Sequence, residues 1–231
     1  MQPPHSTVSI PKNAQTAKRQ TSQTRRRSRN SNRDKTGVYY TVMAFEEFTT
    51  KDSVVVVYTG ESKGKTSASI GMMVRALGNG WRVAYIQFIK FWTVGEHTFI
   101  HEIMPLYKDR LDFYKGGKGF YNAGALSAKN VSESQHKTAA KETYAHAFAC
   151  ATDSAHDLVI CDEINNAVHD GLLSVQQLKQ LISRRAPKTS LCLTGRDFPE
   201  ELYDQCDIIT DMHKIKHHYD DKFLANPGID Y

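Results

Sequence analysis

The sequence predicts an α/β protein, a mostly parallel sheet with helices on both faces. Short apolar runs recur along the chain, at 54–57 (VVVV), 81–89 (WRVAYIQFI), 157–161 (DLVIC) and 189–193 (TSLCL). Each is too short and too apolar for a surface helix and reads as a buried strand. Helical patterns separate them, the clearest at 66–77, 132–154 and 174–184. A strand–helix–strand unit as short as 54–89 demands a parallel, right-handed crossover.

The first unit is the most informative. The strand at 54–57 breaks at Gly60, Gly64-Lys65-Thr66 follows, and a helix runs on to Leu77 with Gly78 and Gly80 as its stop. Strand, glycine loop ending in Lys-Thr, helix is the setting of a phosphate-binding loop, so the fold is read as a P-loop, RecA-like α/β domain. Glycines let backbone N–H groups crowd phosphate oxygens, and the helix N-terminus adds positive potential. Lys65 would sit on the phosphates and the Thr66 hydroxyl on Mg²⁺. The spacing is irregular. Three residues separate Gly60 from Gly64, where the usual G-x-x-x-x-G-K-[ST] has four, and Thr59 takes the place of the first glycine. In helix 66–77, Ile70, Met73, Val74 and Leu77 fall at helical spacing and are expected to pack on the sheet.

The chain has 231 residues, 40% hydrophobic and 24% charged, which suits one domain, 38–231, plus a tail, 1–37. The net charge of +5 is concentrated in that tail, which carries TRRRSRNSNRDK with Asp34 as its only acid. It has too few large apolar residues to offset its ordering entropy and is expected to be disordered. It reads as a solvated tail. A nucleic-acid-binding arm is possible on charge alone, and a transit peptide on composition, but no amphipathic helix pattern supports the latter. Residues 38–48 (VYYTVMAFEEF) fit a leading helix or an extra strand equally. No apolar run approaches the ~18 residues of a membrane span. The four cysteines show no metal or CxxC spacing and read as small buried hydrophobes in a reducing, cytoplasmic setting.

Further along, His97 and His101 are four apart, but with no third ligand they read as packing or surface histidines. A short strand at 111–114 precedes the glycine and aromatic loop 115–124 (KGGKGFYNAG), read as a mobile substrate loop at the sheet edge. Ser132 is a helix cap. Strand 157–161 ends in Asp162-Glu163, the carboxylates that would hold Mg²⁺ opposite Lys65 and Thr66. Ser174 caps the next helix, and strand 189–193 closes in Thr194-Gly195-Arg196, where Arg196 can reach an anionic group. A short helix at 200–203, a last strand at 207–210 and a basic tail follow. His213 and His217 in that tail read as solvated or substrate-facing rather than metal-binding.

The ordered set of motifs resembles the corrinoid (cob(I)alamin) adenosyltransferases of the CobA/BtuR/CobO type. It comprises TGESKGKT (59–66), GMMVRALGNGWRVAYIQFIK (71–90), Gly95-Glu96, Gly119-Phe120, DEIN (162–165), TGR (194–196), IKHHYD (215–220) and GIDY (228–231). The family's loop is likewise one residue short. The resemblance implies transfer of the 5′-deoxyadenosyl group of ATP to a Co(I) corrinoid, with triphosphate leaving and the nucleotide held in reversed direction. It assigns nucleotide binding to Glu61, Ser62, Lys63, Gly64, Lys65, Thr66 and Ser67, and Thr59 and Gly60 are candidates as the start of the same loop. Arg196 is added as a candidate on its place at a strand end. The catalytic assignments are Lys65, Thr66 and Glu163, and the Mg²⁺ assignments Thr66, Asp162 and Glu163. Aromatic side chains after the Gly-Phe pair displace the lower axial ligand in the family, which points to Phe120 and Tyr121. This chain departs in three places. Asn122 stands where many members carry tryptophan, Ser62 replaces a loop glycine, and Phe91 replaces a glycine, so Phe91 and Trp92 are candidates to lend aromatic surface. The family also implies a homodimer and a reductase or flavodoxin-like electron donor. The alternative is an ordinary phosphate-loop ATPase or kinase cleaving the terminal phosphate.

Overall fold

Every apolar run expected to be a strand must hide two faces, and the chain does so with helices on either side. The computed structural model describes residues 48–121, 127 and 130–231. The basic segment 1–37, residues 38–47 and Asn122 lie outside the described residues. In order the elements are β1 (Val55–Thr59), α1 (Lys65–Gly78), β2 (Val83–Gln87), α2 (Gly95–Ile103), β3 (Leu111–Lys115), α3 (Glu133–Thr152), β4 (Leu158–Asp162), α4 (Ile164–His169), α5 (Val175–Arg184), β5 (Ser190–Thr194) and β6 (Ile208–Asp211). Single 3₁₀ segments sit at Met104–Leu106, Glu200–Gln205 and His218–Asp221.

The six strands form one sheet in the order β3-β2-β4-β5-β1-β6, and every neighbouring pair is parallel. Side chains alternate across it, as the two-residue period of a strand requires. Val55, Val57, Ala84, Ile86, Val159, Cys161, Leu191 and Leu193 pack on one side with residues of α3, α4 and α5. Val83, Tyr85, Leu158, Ile160 and Cys192 pack on the other with Met73, Ala76 and Leu77 of α1 and Ile100 of α2. Each fully buried aliphatic side chain contributes roughly 1.5–3 kcal/mol.

The helix starts follow local chemistry. Ser132 and Gln135 bond reciprocally at the head of α3, at 2.8 and 3.3 Å. Ser174 and Gln177 do the same for α5, at 2.9 and 3.2 Å. Both are capping boxes. α4, which was not expected, begins directly after Glu163 in a left-handed conformation (φ +64°) and has no capping side chain.

Three expectations are corrected. Val74 is half exposed and does not pack on the sheet, whereas Ala76 does. The inward face of α1 runs through Ser69, Met73, Ala76 and Leu77, and position 74 lies about 100° round from 73. Residues 116–119 are anchored rather than mobile. Gly116 N–H donates to Gln87 O at 3.1 Å and Gly119 N–H to Ile89 O at 2.9 Å. A Cβ on Gly117 would lie 2.3 Å from the Ile89 carbonyl carbon, so glycine there serves close backbone approach. Of the cysteines, Cys150, Cys161 and Cys192 are buried but Cys206 only partly. All four thiols are free, and burial pushes those of Cys150 and Cys206 up to about 11.

Candidate active site

In a parallel sheet the loops leaving the carboxyl ends of the strands share one edge, and ligands bind there. Here β4, β5 and β1 are neighbours, with β2 beside β4, so Gln87, Asp162, Thr194 and Thr59 end side by side. Above them is a cavity of about 760 Å³ lined by Ser62 to Ser67, Lys90, Gly95, Glu96, Phe99, Phe120, Glu163, Asn166, Thr194 to Arg196 and Gly228 to Tyr231.

The phosphate-type loop is shaped by two glycines with positive φ, Gly60 (+96°) and Gly64 (+114°). A Cβ on Gly60 would lie 2.2 Å from Asp211 Oδ1 and 2.5 Å from Met212 N, so the loop is laid directly on the chain leaving β6. Ser62 N–H donates to Met212 O at 3.1 Å. Lys214 N–H reaches Glu61 Oε1 at 3.4 Å, and Thr59 Oγ1 accepts from Phe198 N–H at 3.2 Å. Thr59, Gly60 and Glu61 therefore lie off the cavity wall and fix the loop's base. Ser62, Lys63, Gly64, Lys65, Thr66 and Ser67 line it. Lys65 Nζ folds back onto the carbonyls of Gly60, at 2.6 Å, and Ser62. Burial, with Arg196 nearby, lowers its pKa. Lys63 pairs with Asp230 at 2.8 Å.

The two adjacent carboxylates differ sharply. Asp162 is wholly buried, beneath the cavity. Its Oδ1 accepts from Thr194 Oγ1 at 2.7 Å. Its Oδ2 accepts from Gln87 Nε2 at 3.0 Å and Thr66 Oγ1 at 3.3 Å, and Lys90 Nζ lies 3.9 Å away. Glu163 lines the cavity, and its Oε2 is buried with no hydrogen-bond partner among the described residues. Burial and then the Asp162 charge push its pKa up to about 7. Thr194 joins the two, since its hydroxyl also accepts from Glu163 N–H at 2.9 Å. Among the described residues no three His, Cys, Asp or Glu side chains converge on one point. A nucleotide-bound Mg²⁺ needs only one or two protein oxygens. The orphaned Glu163 oxygen and the Thr66 hydroxyl, both from residues lining the one cavity, are a hard-oxygen set of that kind, and it fits.

The remaining predicted residues are dispersed. Arg196 lines the cavity, and its backbone N–H donates to Asn166 Oδ1 of α4 at 2.7 Å. Phe120 lines the cavity with the Trp92 ring 4.9 Å away. Tyr121 is half-buried off the wall, 5.3 Å from the His136 ring. His97 is buried and His101 exposed, each ring packed near Phe113. Sequence reasoning passed over four contributors: Gln87, Lys90 with its partner Glu96 at 2.6 Å, Asn166, and Gly228 to Tyr231. Lys90, Glu96 and Gly228 to Tyr231 stood in the quoted motifs without an assigned role, and a glutamine closing an apolar strand was the signal for Gln87.

Comparison with known proteins identifies the family. The family model described as ATP:corrinoid adenosyltransferase BtuR/CobO/CobP matches residues 51–231. The corrinoid adenosyltransferase of Escherichia coli (strain K12) is 28% identical over 179 residues, covering 77% of this chain and 85% of that protein. One from Sinorhizobium sp is 29% identical over 185 residues, covering 79% and 82%. The corrinoid adenosyltransferase CobA of Salmonella typhimurium (strain LT2) is 26% identical over 179 residues, covering 77% and 85%. Among solved structures, the flagellar accessory protein FlaH from Methanocaldococcus jannaschii aligns over 70% of this chain and 71% of its own, at TM-score 0.41 and 14% identity, a likeness too loose to argue from. The span matched by the family model holds the whole sheet, the loop and the cavity, and the chain belongs to the ATP:corrinoid adenosyltransferase family.

Proposed function

We propose that this cavity binds ATP and a corrinoid and transfers the 5′-deoxyadenosyl group to cobalt, releasing triphosphate intact. Family membership over 51–231 supplies the reaction class. A reduced Co(I) centre donates an electron pair to the ribose C5′, the C5′–O bond breaks, and its pair leaves on the triphosphate. No side chain has to remove a proton, so the protein's work is to orient the ribose and to stabilise charge growing on the leaving group.

The residues divide this work. Amides of the loop from Ser62 to Ser67 and the head of α1 face the polyphosphate. Lys65 exchanges its two loop carbonyls for phosphate oxygens, and Arg196 adds a second positive charge from β5. Thr66 and Glu163 would hold Mg²⁺, with Asp162 behind Thr66, and the ion when bound neutralises charge on the departing triphosphate. Phe120 and Tyr121 are the candidates for contact with the corrinoid ring. What carries the assignment is one feature: a Gly-Lys-Thr loop and the residue with a partnerless buried oxygen, Glu163, line the same cavity at the carboxyl edge of the sheet.

A homodimer and a reductase or flavodoxin-like electron donor belong to the same proposal, supported by resemblance. A cytoplasmic location rests on the four free thiols. No helix among the described residues is long and apolar enough to cross a membrane. The test is product identity. Protein, MgATP and chemically reduced cobalamin are expected to yield adenosylcobalamin and triphosphate in equal amounts. Release of ADP and phosphate with no cobalt–carbon bond would refute the proposal and favour the ATPase reading.

A further inference from the structure

Two polar side chains that the mechanism leaves unused, Gln87 and His97, stand in line behind Asp162. Gln87 and Asp162 are wholly buried, and His97 is 1% exposed. Val94 N–H donates to His97 Nδ1 at 3.3 Å. A neutral ring that accepts at Nδ1 carries its proton on Nε2, and that nitrogen donates to Gln87 Oε1. With its oxygen engaged, the Gln87 amide presents its –NH₂ to Asp162, Nε2 donating to Oδ2 at 3.0 Å. The reverse amide orientation would press oxygen against carboxylate, two acceptors sealed from water with no proton between them. The same Asp162 Oδ2 receives the Thr66 hydroxyl at 3.3 Å.

We infer that His97 is a positioning residue of the adenosyl-transfer site: it holds the Gln87 amide, which orients Asp162, which in turn aims the Thr66 hydroxyl. This rests on the reading of Thr66 and Glu163 as the cation-holding pair. Packing alone does not require a histidine here. The ring lies 5.7 Å from that of Phe113, a contact leucine or phenylalanine would make as well. Only a polar side chain supplies the donor that sets the glutamine.

The placement also links the relay to the cavity wall. His97 sits on α2, the helix that offers Gly95, Glu96 and Phe99 to the cavity. A second tie runs parallel to it, Glu96 to Lys90 at 2.6 Å and Lys90 to Asp162 at 3.9 Å. α2 is thus fastened twice to the carboxylate beneath the site.

The test uses the full chain, with Mn²⁺ binding in the presence of ATP followed by electron paramagnetic resonance, beside adenosylation kinetics. His97→Leu is expected to weaken Mn²⁺ binding about tenfold, as loss of an outer hydrogen-bond partner does at metal sites. It should lower kcat by a similar factor and leave KM for cobalamin within about twofold. His97→Gln, whose amide can donate to Gln87 Oε1, is expected to recover most of both. In a Gln87→Met background, His97→Leu should bring no further loss of Mn²⁺ affinity, because the two residues act in series. Parental Mn²⁺ affinity in His97→Leu, or a second full loss in the Gln87→Met background, overturns the inference. Should His97→Leu fail to fold, Gln87→Met and His97→Gln decide alone: weakened binding in the first and near-parental binding in the second support the relay, and any other pairing refutes it. A parent protein that makes no cobalt–carbon bond while its Mn²⁺ binding still depends on His97 would sink the transfer reading and leave the relay standing.

Discussion

Glu163→Gln should change how stability depends on pH, and the sign is worked from burial. The Glu163 carboxylate has lost water on folding, has Asp162 as its sequence neighbour, and is only partly offset by Lys90 and Lys65. These effects raise its pKa from 4.5 to about 7. The native protein therefore keeps a proton that the unfolded chain gives up. The stability this contributes is complete below pH 4.5, declines as pH rises, and is gone once pH passes about 7. At about 1.4 kcal/mol per pKa unit, the native state gives up on the order of 2–4 kcal/mol between pH 4.5 and 8. Glutamine has the same shape and does not titrate. Chemical denaturation of both proteins without nucleotide, from pH 5 to 8.5, is the assay. The variant is expected to gain on the parent steadily with pH and to be the more stable above pH 7. MgATP should narrow the gap at pH 8, because the bound cation favours the ionised carboxylate. Parallel pH curves would refute the argument that Glu163 is an unrelieved buried acid.

Other expectations are sharper in activity or folding. Lys65→Ala should lower adenosylcobalamin formation by at least about 10²-fold, the usual cost of removing a group that stabilises developing negative charge; a variant within tenfold of the parent, measured by cobalamin absorbance, removes Lys65 from the leaving-group site. Gly60→Ala puts a Cβ 2.2 Å from Asp211 Oδ1 at φ +96°, and combined overpacking and backbone strain should cost about 3 kcal/mol or more. A fall in Tm of about 10 °C is expected, and an unchanged Tm would mean the loop does not rest on the β6 exit. Tyr121→Ala should slow adenosylation starting from Co(II) more than from Co(I) if Tyr121 helps strip the axial ligand; equal losses in the two assays remove that role.

What could be read in advance was local. The run VVVVYT, the Gly64-Lys65-Thr66 triplet and the apolar spacing of α1 each carry their meaning within one turn or one strand, and the first βα unit followed them closely. Ser132 and Ser174 were legible as caps for the same reason: the partners that complete them lie three residues on. α4 was not legible. Its six residues, INNAVH, are, apart from Ala167, middling or poor helix formers with no capping side chain, and Asn165 and Asn166 are held against Gly195 by tertiary packing. The glycines at 116 and 117 were misjudged because a glycine that permits motion and one that permits contact are the same letter. Only the positions of Thr143 and the Ile89 backbone distinguish them.

The site itself was half legible, and the missing half follows from strand order. Sequence order puts β2 between β1 and β4, but in the sheet β5 lies between β1 and β4. Thr194, Asp162 and Gln87 thus become neighbours across 107 positions of chain, a proximity no spacing rule encodes. That order also explains why two consecutive acids have different fates. Asp162 is the last residue of β4, level with Gln87 in the adjoining strand, so donors from both flanking strands converge on it. Glu163 is one residue later, where the backbone turns through a positive φ into α4, and its side chain is carried past those donors to the cavity wall. The saturated acid is suited to hold geometry, and the unsaturated one is left able to bind a cation. Exchanging their roles would require moving the end of β4 by one residue, which would also turn every apolar side chain of that strand to the opposite face.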